Sequence, residues 1–252
     1  MLSLLSKQLR VPLGARTWTP PLWGVLLALA GALLFSRLGF WQLGRAAEKA
    51  QLAARYEARH RLPPLDLPGL LARGADIDDL PVRLAGRYDN SRLVYLDNQP
   101  RGATAGFHVY TAFQPLHSRR LVLVDRGWIP RGADVQRLPP VPEASATLVE
   151  GSAAAPSPFF TVGEPDYRQR PLRVGRLEMD KLERALGVEL QPFVIRLAPS
   201  APDGFVREWT PAARLGMPPA KHRAYAFQWF ALAAAVLVVL LVVNLRKNPN
   251  PS

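Results

Sequence analysis

Cysteine is absent from the 252 residues, so the fold contains no disulfide, no thiolate metal ligand and no sulfur nucleophile, and it must hold by apolar packing. Acidic residues are scarce at the ends: all 20 lie between Trp41 and Arg223, with 26 of the 32 basic residues. The remaining basic residues are Lys7, Arg10, Arg16, Arg37, Arg246 and Lys247. Signatures of catalysis are missing too. No Gly-x-Ser-x-Gly turn, phosphate-cradling glycine loop or His-x-x-x-His pair occurs, and an enzymatic reading is left without support. Asp76, Asp78 and Asp79 share a loop, but the other oxygen ligands and the glycine of a calcium loop are lacking. The net charge of +12 and pI near 10.8 come with no basic stripe with interleaved aromatics, so nucleic acid is not expected as a partner.

Two long uncharged apolar segments are present, Thr17 to Ser36 and Ala224 to Leu245. Each reaches the roughly 20 residues that a helix needs to cross a bilayer. The second holds only Ala, Val and Leu from Ala231 to Val243, is entered through Tyr225, Trp229 and Phe230, and is stopped by Asn244, Arg246 and Lys247, an interfacial pattern. For the first, the alternative is a cleaved leader ending at Ala28-Leu29-Ala30, but the apolar run continues past it. The expected organisation is a cytoplasmic tail over 1–16, a transmembrane helix over 17–40, an extracytoplasmic domain over 41–221, a second transmembrane helix over 222–245 and a cytoplasmic tail over 246–252. Basic tails suit the cytoplasmic face of a bacterial inner membrane type of bilayer, where anionic lipid attracts them.

Between the spans the periodicity predicts a helix leaving the membrane over 41–60, ended by Leu62-Pro-Pro-Leu-Asp-Leu-Pro68. Short strands are expected at Val82–Tyr88, Leu93–Leu96, Phe107–Phe113, Leu121–Val124, Thr147–Glu150 and Pro192–Leu197, and a helix at Asp180–Leu186 capped by Gly187. A proline-rich connector spans Pro130–Pro142, and Pro199–Pro219 reads as irregular. The fold class is therefore an α+β domain of mainly antiparallel strands, a small sheet or partly closed barrel, flanked by two terminal transmembrane helices.

Three stretches resemble the Surfeit locus protein 1 family: Gly39-Phe-Trp-Gln-Leu-Gly-Arg-Ala-Ala-Glu-Lys49, Val124-Asp-Arg-Gly-Trp-Ile-Pro130 and His222-Arg-Ala-Tyr-Ala-Phe-Gln-Trp-Phe230. They occur in the family's order, around one domain between two spans. The resemblance implies a non-enzymatic assembly factor for haem-copper cytochrome c oxidase, which binds haem a transiently and assists its insertion into the largest oxidase subunit. Expected partners are that subunit, the lipid bilayer and the haem a synthesis machinery. The residue before Arg126, often Asn in the family, is Asp125 here. The alternative is a membrane-anchored scaffold that recruits partners through its extracytoplasmic domain without a cofactor.

Within those stretches His222 is the candidate haem-iron ligand, since imidazole is a common axial ligand; a headgroup-level histidine without iron is the plainer reading. Helical spacing puts His222, Tyr225, Ala226 and Trp229 on one face, a flat aromatic bed beside the imidazole. Gln228 lies one residue off it. Trp41 and Arg45 share a face of the first helix with Gln42 beside them, and Arg37 or Arg45 matches a propionate carboxylate. The plainer readings are interface anchoring for Trp41 and lipid-phosphate contact for the arginines. In Arg126-Gly127-Trp128 the glycine suggests a bulge or a positive φ, with Trp128 as either a core cap or a docking residue. His108 reads as a satisfied sheet histidine; His60 and His117 lie in breaks without metal spacing.

Overall fold

A single 39-residue helix, α1 (Leu22–His60), takes up the first apolar run and the whole predicted 41–60 helix. No proline occurs between Pro21 and Pro63 to break it. The second long helix, α4 (Pro219–Val243), has 25 residues and a proline at its first position, where the missing N–H is no loss. At about 1.5 Å per residue these helices are about 58 and 37 Å long, more than the roughly 30 Å hydrocarbon core. In both, only 11% of the most apolar stretch is buried, the reverse of a soluble protein's core helix. The computed structural model describes residues 8–132, 134, 137–156, 167, 170–210 and 216–247. Residues 1–7 and 248–252, most of 157–169, and parts of the 130–142 connector and of the irregular 199–219 segment lie outside them. The chain forms two compact units, Met1–Ala54 with Arg214–Ser252, and Arg55–Ala213.

In the first unit α1 and α4 run antiparallel. From one end to the other, Gly24 lies beside Leu240, Gly31 beside Val236, Phe35 stacks on Trp229, Gly39 abuts Phe230 and Gln42 meets His222. Gly24, Ala28, Gly31, Phe35, Gly39, Gln42 and Ala46 recur at intervals of three and four, one continuous stripe along α1. Beyond the helix ends a small antiparallel sheet forms from β1 (Val11–Leu13), β2 (Arg16–Trp18) and β9 (Leu245–Lys247). Thr17, Trp18 and Leu245, counted into the spans from sequence, belong to these strands. The Thr19 N–H donates to the Asn244 carbonyl at 2.9 Å, and Trp18 Nε1 donates to the Leu240 carbonyl at 3.2 Å.

The second unit holds a six-stranded sheet in the order β4-β5-β8-β6-β3-β7, with β4 also paired to β3. Its strands are β3 (Pro81–Leu96), β4 (Gly106–Pro115), β5 (Leu121–Pro130), β6 (Leu148–Ala154), β7 (Leu172–Val174) and β8 (Leu190–Leu197). The β4–β3 pairing closes five of them into a ring. Closure is possible because β3, 16 residues long, pairs with β6 through Pro81–Ala85 and with β4 through Gly86–Leu96. Its register slips between Asp89 and Leu93, so the two strands expected there are one strand, bent at a bulge. The sheet is mixed rather than purely antiparallel: β3–β7 and β5–β8 are parallel. Short α2 (Leu67–Leu71), capped by Asp66, sends Leu70 into a cluster with Val82, Leu84, Phe113, Val124 and Ile195. Helix α3 (Met179–Leu186) ends at Gly187 with φ +68° and puts Leu182 and Leu186 against Leu96, Leu172 and Leu190.

Candidate functional site

The six residues singled out on the helices, His222, Tyr225, Trp229, Trp41, Gln42 and Arg45, all fall in the first unit, but they do not form one face. His222, in the first turn of α4, is buried, and its Nδ1 lies 2.7 Å from Gln42 Oε1 on α1. An amide oxygen only accepts, so Nδ1 donates, and in the neutral ring Nε2 keeps its lone pair. Such a hydrogen bond on the far nitrogen fixes tautomer and ring orientation, as partners of ligating histidines do. Ala226 follows His222 along the seam and Trp229 stacks on Phe35 at 5.7 Å. Tyr225 and Trp41 turn outward, 43% and 56% exposed. Arg45 pairs with Glu48 on its own helix, while Arg37 and Gln228 are exposed. Gln42, read from sequence only as a neighbour of Trp41 and Arg45, is thus the residue that touches the histidine. The three-and-four spacing of small residues on α1, which includes position 42, was the available signal.

Gly39 makes this approach possible. A Cβ there would lie 2.7 Å from the Phe230 ring, and Phe230 in turn packs edge-on against Phe40 at 5.2 Å. The buried imidazole is fixed through Nδ1, while Tyr225, three residues on, and Trp41, beside Gln42 in sequence, are exposed.

The second constellation lies in the Arg55–Ala213 unit. Between His108↔Trp128 and Tyr110↔Asp125, Arg126 and Gly127 oppose the single residue Val109, a bulge that Gly127 permits with φ +114°. Arg126 is fully buried, and its side-chain hydrogen bonds go to carbonyl and hydroxyl oxygens rather than to a carboxylate. It donates to the Asp203 carbonyl at 2.7 Å, to the Pro142 carbonyl at 3.0 Å and to Thr111 Oγ1 at 3.4 Å, and it lies over the Phe205 ring at 4.8 Å. Burial pulls its pKa below the ordinary guanidinium value. Trp128 is buried as well, with Nε1 donating to the Gln99 carbonyl at 2.7 Å. Asp125 turns away to His108, whose Nδ1 lies 3.0 Å from both carboxylate oxygens, and also accepts from the Gly127 N–H at 3.0 Å. Burial of the His108 ring opposes its charge, but the Asp125 carboxylate outweighs that and raises the histidine's pKa. Tyr110 is pushed well above the ordinary phenol value by burial first and by Asp125 second. This arrangement locks a corner of the barrel. Among the described residues no group of three or more His, Asp or Glu side chains gathers around a metal-sized space.

The sequence pattern of the SURF1 family matches residues 29–234, which takes in the helix seam from Gly31 onward, the Arg126 bulge and the first part of α4. The chain belongs to the SURF1 family. It is 30% identical to the mouse Surfeit locus protein 1 over 125 residues, 43% of this chain and 39% of the mouse protein. Against the Arabidopsis thaliana Surfeit locus protein 1 the identity is 30% over 119 residues, 42% of this chain and 33% of that protein. The chain thus spans two fifths or less of these relatives. The SURF1-like protein of Rickettsia bellii is 23% identical over 231 residues, 85% of this chain and 88% of that one. All three family-like stretches fall inside the matched range. In this SURF1 family member they correspond to the helix seam at Gly39 and Gln42, the bulge at Gly127 and the first turns of α4.

Proposed function

We propose that this protein is an assembly factor for cytochrome c oxidase that holds haem a as cargo at the α1–α4 seam and passes it to the largest oxidase subunit. Family membership supports the assembly role, and the His222–Gln42 hydrogen bond is the observation that carries the haem reading. Haem iron takes a neutral imidazole nitrogen as axial ligand. In this chain Gln42 orients the ring and Tyr225 and Trp41 offer aromatic surface on neighbouring turns. Arg45 pairs with Glu48 in this structure, so a propionate would have to compete for it. In this reading both termini are cytoplasmic and residues 41–221 extracytoplasmic. Reporter fusions at position 140 and at the C-terminus should then report opposite compartments.

The deciding experiment is purification in detergent from cells that make haem a. Wild-type protein should carry a Soret band, His222→Ala should lose most of it, and His108→Ala should keep it. Equal occupancy and an unchanged spectrum in the His222 variant would refute the ligand assignment. A wild-type protein without haem that still co-purifies with the oxidase subunit would favour the cofactor-free scaffold.

A further inference from the structure

The sheet β1–β2–β9 carries a charge pattern that its own unit does not balance. Arg16 and Lys247 are directly opposite in the β2–β9 register, so their side chains leave the same face with Cβ atoms about 4.5–5.5 Å apart. Like charges so placed destabilise a strand pair. A carboxylate between them would relieve the repulsion, yet the first unit contains a single acidic residue, Glu48, and it is paired with Arg45 on α1. No other carboxylate side chain of the unit is available to these two cations.

The same face indicates which anion. Val11 is opposite Trp18, which is opposite Leu245; two residues further from the helix ends, Leu13 is opposite Arg16, which is opposite Lys247. An apolar row next to the helices is thus followed, about 7 Å outward, by a row with two cations. Val11 and Leu13 are 41% and 49% exposed on the edge strand β1. In water an exposed apolar edge invites aggregation. At a bilayer surface the same order matches the depth profile of apolar, aromatic and then phosphate layers. We infer that this face binds the phosphate of an anionic phospholipid, gripped by Arg16 and Lys247, with Val11 and Trp18 of the inner row resting on the lipid beneath it. The guanidinium takes two phosphate oxygens as a fork and the ammonium a third. Arg246, opposite Thr17, leaves the other face and adds only long-range attraction. The inference rests on α1 and α4 spanning a membrane.

The test uses full-length protein in a neutral detergent, titrated with dioctanoyl phosphatidylglycerol, dioctanoyl phosphatidylcholine or inorganic phosphate, with bound lipid counted by native mass spectrometry. Phosphatidylglycerol should bind saturably, and Arg16→Ala with Lys247→Ala should weaken it about 25-fold, at about fivefold per cation. Arg16→Glu places the missing carboxylate opposite Lys247. That variant should melt no lower than wild type without lipid and should lose the phosphatidylglycerol response. Binding that survives either set of substitutions, or that phosphatidylcholine or inorganic phosphate reproduces, overturns the site. Alkaline carbonate extraction separates the two levels: wild-type protein released from membranes sinks the spanning reading and the lipid site with it. Retention of wild type and variant, with equal lipid binding, sinks the lipid site alone.

Discussion

In the Arg55–Ala213 unit Leu70, Leu84, Leu123, Leu172 and Leu182 are shut away, whereas Leu27, Leu33 and Leu34 of α1 and Leu237 and Leu241 of α4 stand open. Small residues are buried in both units, but on the long helices they are, apart from His222, what is buried: Ala28, Gly39 and Ala46 of α1 and Ala226 and Ala233 of α4. Water drives large apolar side chains into a shared core, because every square ångström of apolar surface removed from it is favourable. Lipid provides no such drive between helices, and close backbone approach at small residues takes its place. The polar interiors differ accordingly. The barrel buries Arg126 and Asp125 within networks of three or more bonds, while the seam buries a histidine against the Gln42 amide. A dense network locks a fold; a single hydrogen bond fixes only the orientation of the ring.

The comparison is broken most forcefully at Trp128. If this side chain belongs to the core, Trp128→Ala should cost about 3–5 kcal/mol and lower the melting temperature of the purified protein sharply. The helix pair should survive, read as an unchanged disulfide crosslink in a background carrying Gly31→Cys and Val236→Cys. The chain has no cysteine of its own to interfere. A melting temperature near wild type with weaker capture of the oxidase subunit would instead make Trp128 a docking residue. Gly127→Val should come next. Its φ of +114° disfavours any side chain, and a Cβ would sit 2.6 Å from the Val206 carbonyl oxygen, for a loss of about 1–3 kcal/mol or somewhat more.

A subtler expectation concerns pH. Since Asp125 raises the pKa of His108 in the folded state, the pair's contribution is fully present below the ordinary histidine value of about 6.5 and fades as pH rises through the higher folded value. Wild-type melting temperature should therefore fall, relative to His108→Gln, as pH climbs above about 6.5. Parallel profiles for the two proteins would remove the pair from the stability account.

How much of this was legible in the residues differs between the units for the same physical reason. Helix lengths, the Gly187 cap and the strands at Phe107–Phe113 and Pro192–Leu197 follow from local periodicity and turn chemistry, and the structure has them. Gly127 as a positive-φ bulge was also readable, because glycine between two bulky residues is a local signal. The parallel β5–β8 pairing was not, since it joins residues about 70 apart in sequence and leaves no local trace. Nor were β1, β2 and β9 readable, three residues each and too short for a period. On the helices, residue spacing puts His222, Tyr225, Ala226 and Trp229 on one face, but which of them a neighbouring helix covers depends on the partner: His222 and Ala226 are buried, Tyr225 is exposed and Gln42 of α1 meets the histidine.

The smallest effect sharpens the contrast most. Leu33 is 73% exposed, and separating α1 from α4 inside a bilayer would leave it in lipid as before. In the same double-cysteine background, Leu33→Ala should therefore change the α1–α4 crosslink yield hardly at all, within about 0.5 kcal/mol in apparent association. Gly39→Leu, on the same helix, should reduce that yield strongly, because the new side chain meets Phe230 where a Cβ alone already lies 2.7 Å from the ring. The barrel gives the opposite ranking, with large residues costly to lose. If Leu33→Ala lowers crosslinking as much as Gly39→Leu does, the leucines of α1 hold the helix pair together. The exposed face would then be a protein interface, and the two units would differ in topology but not in what packs them.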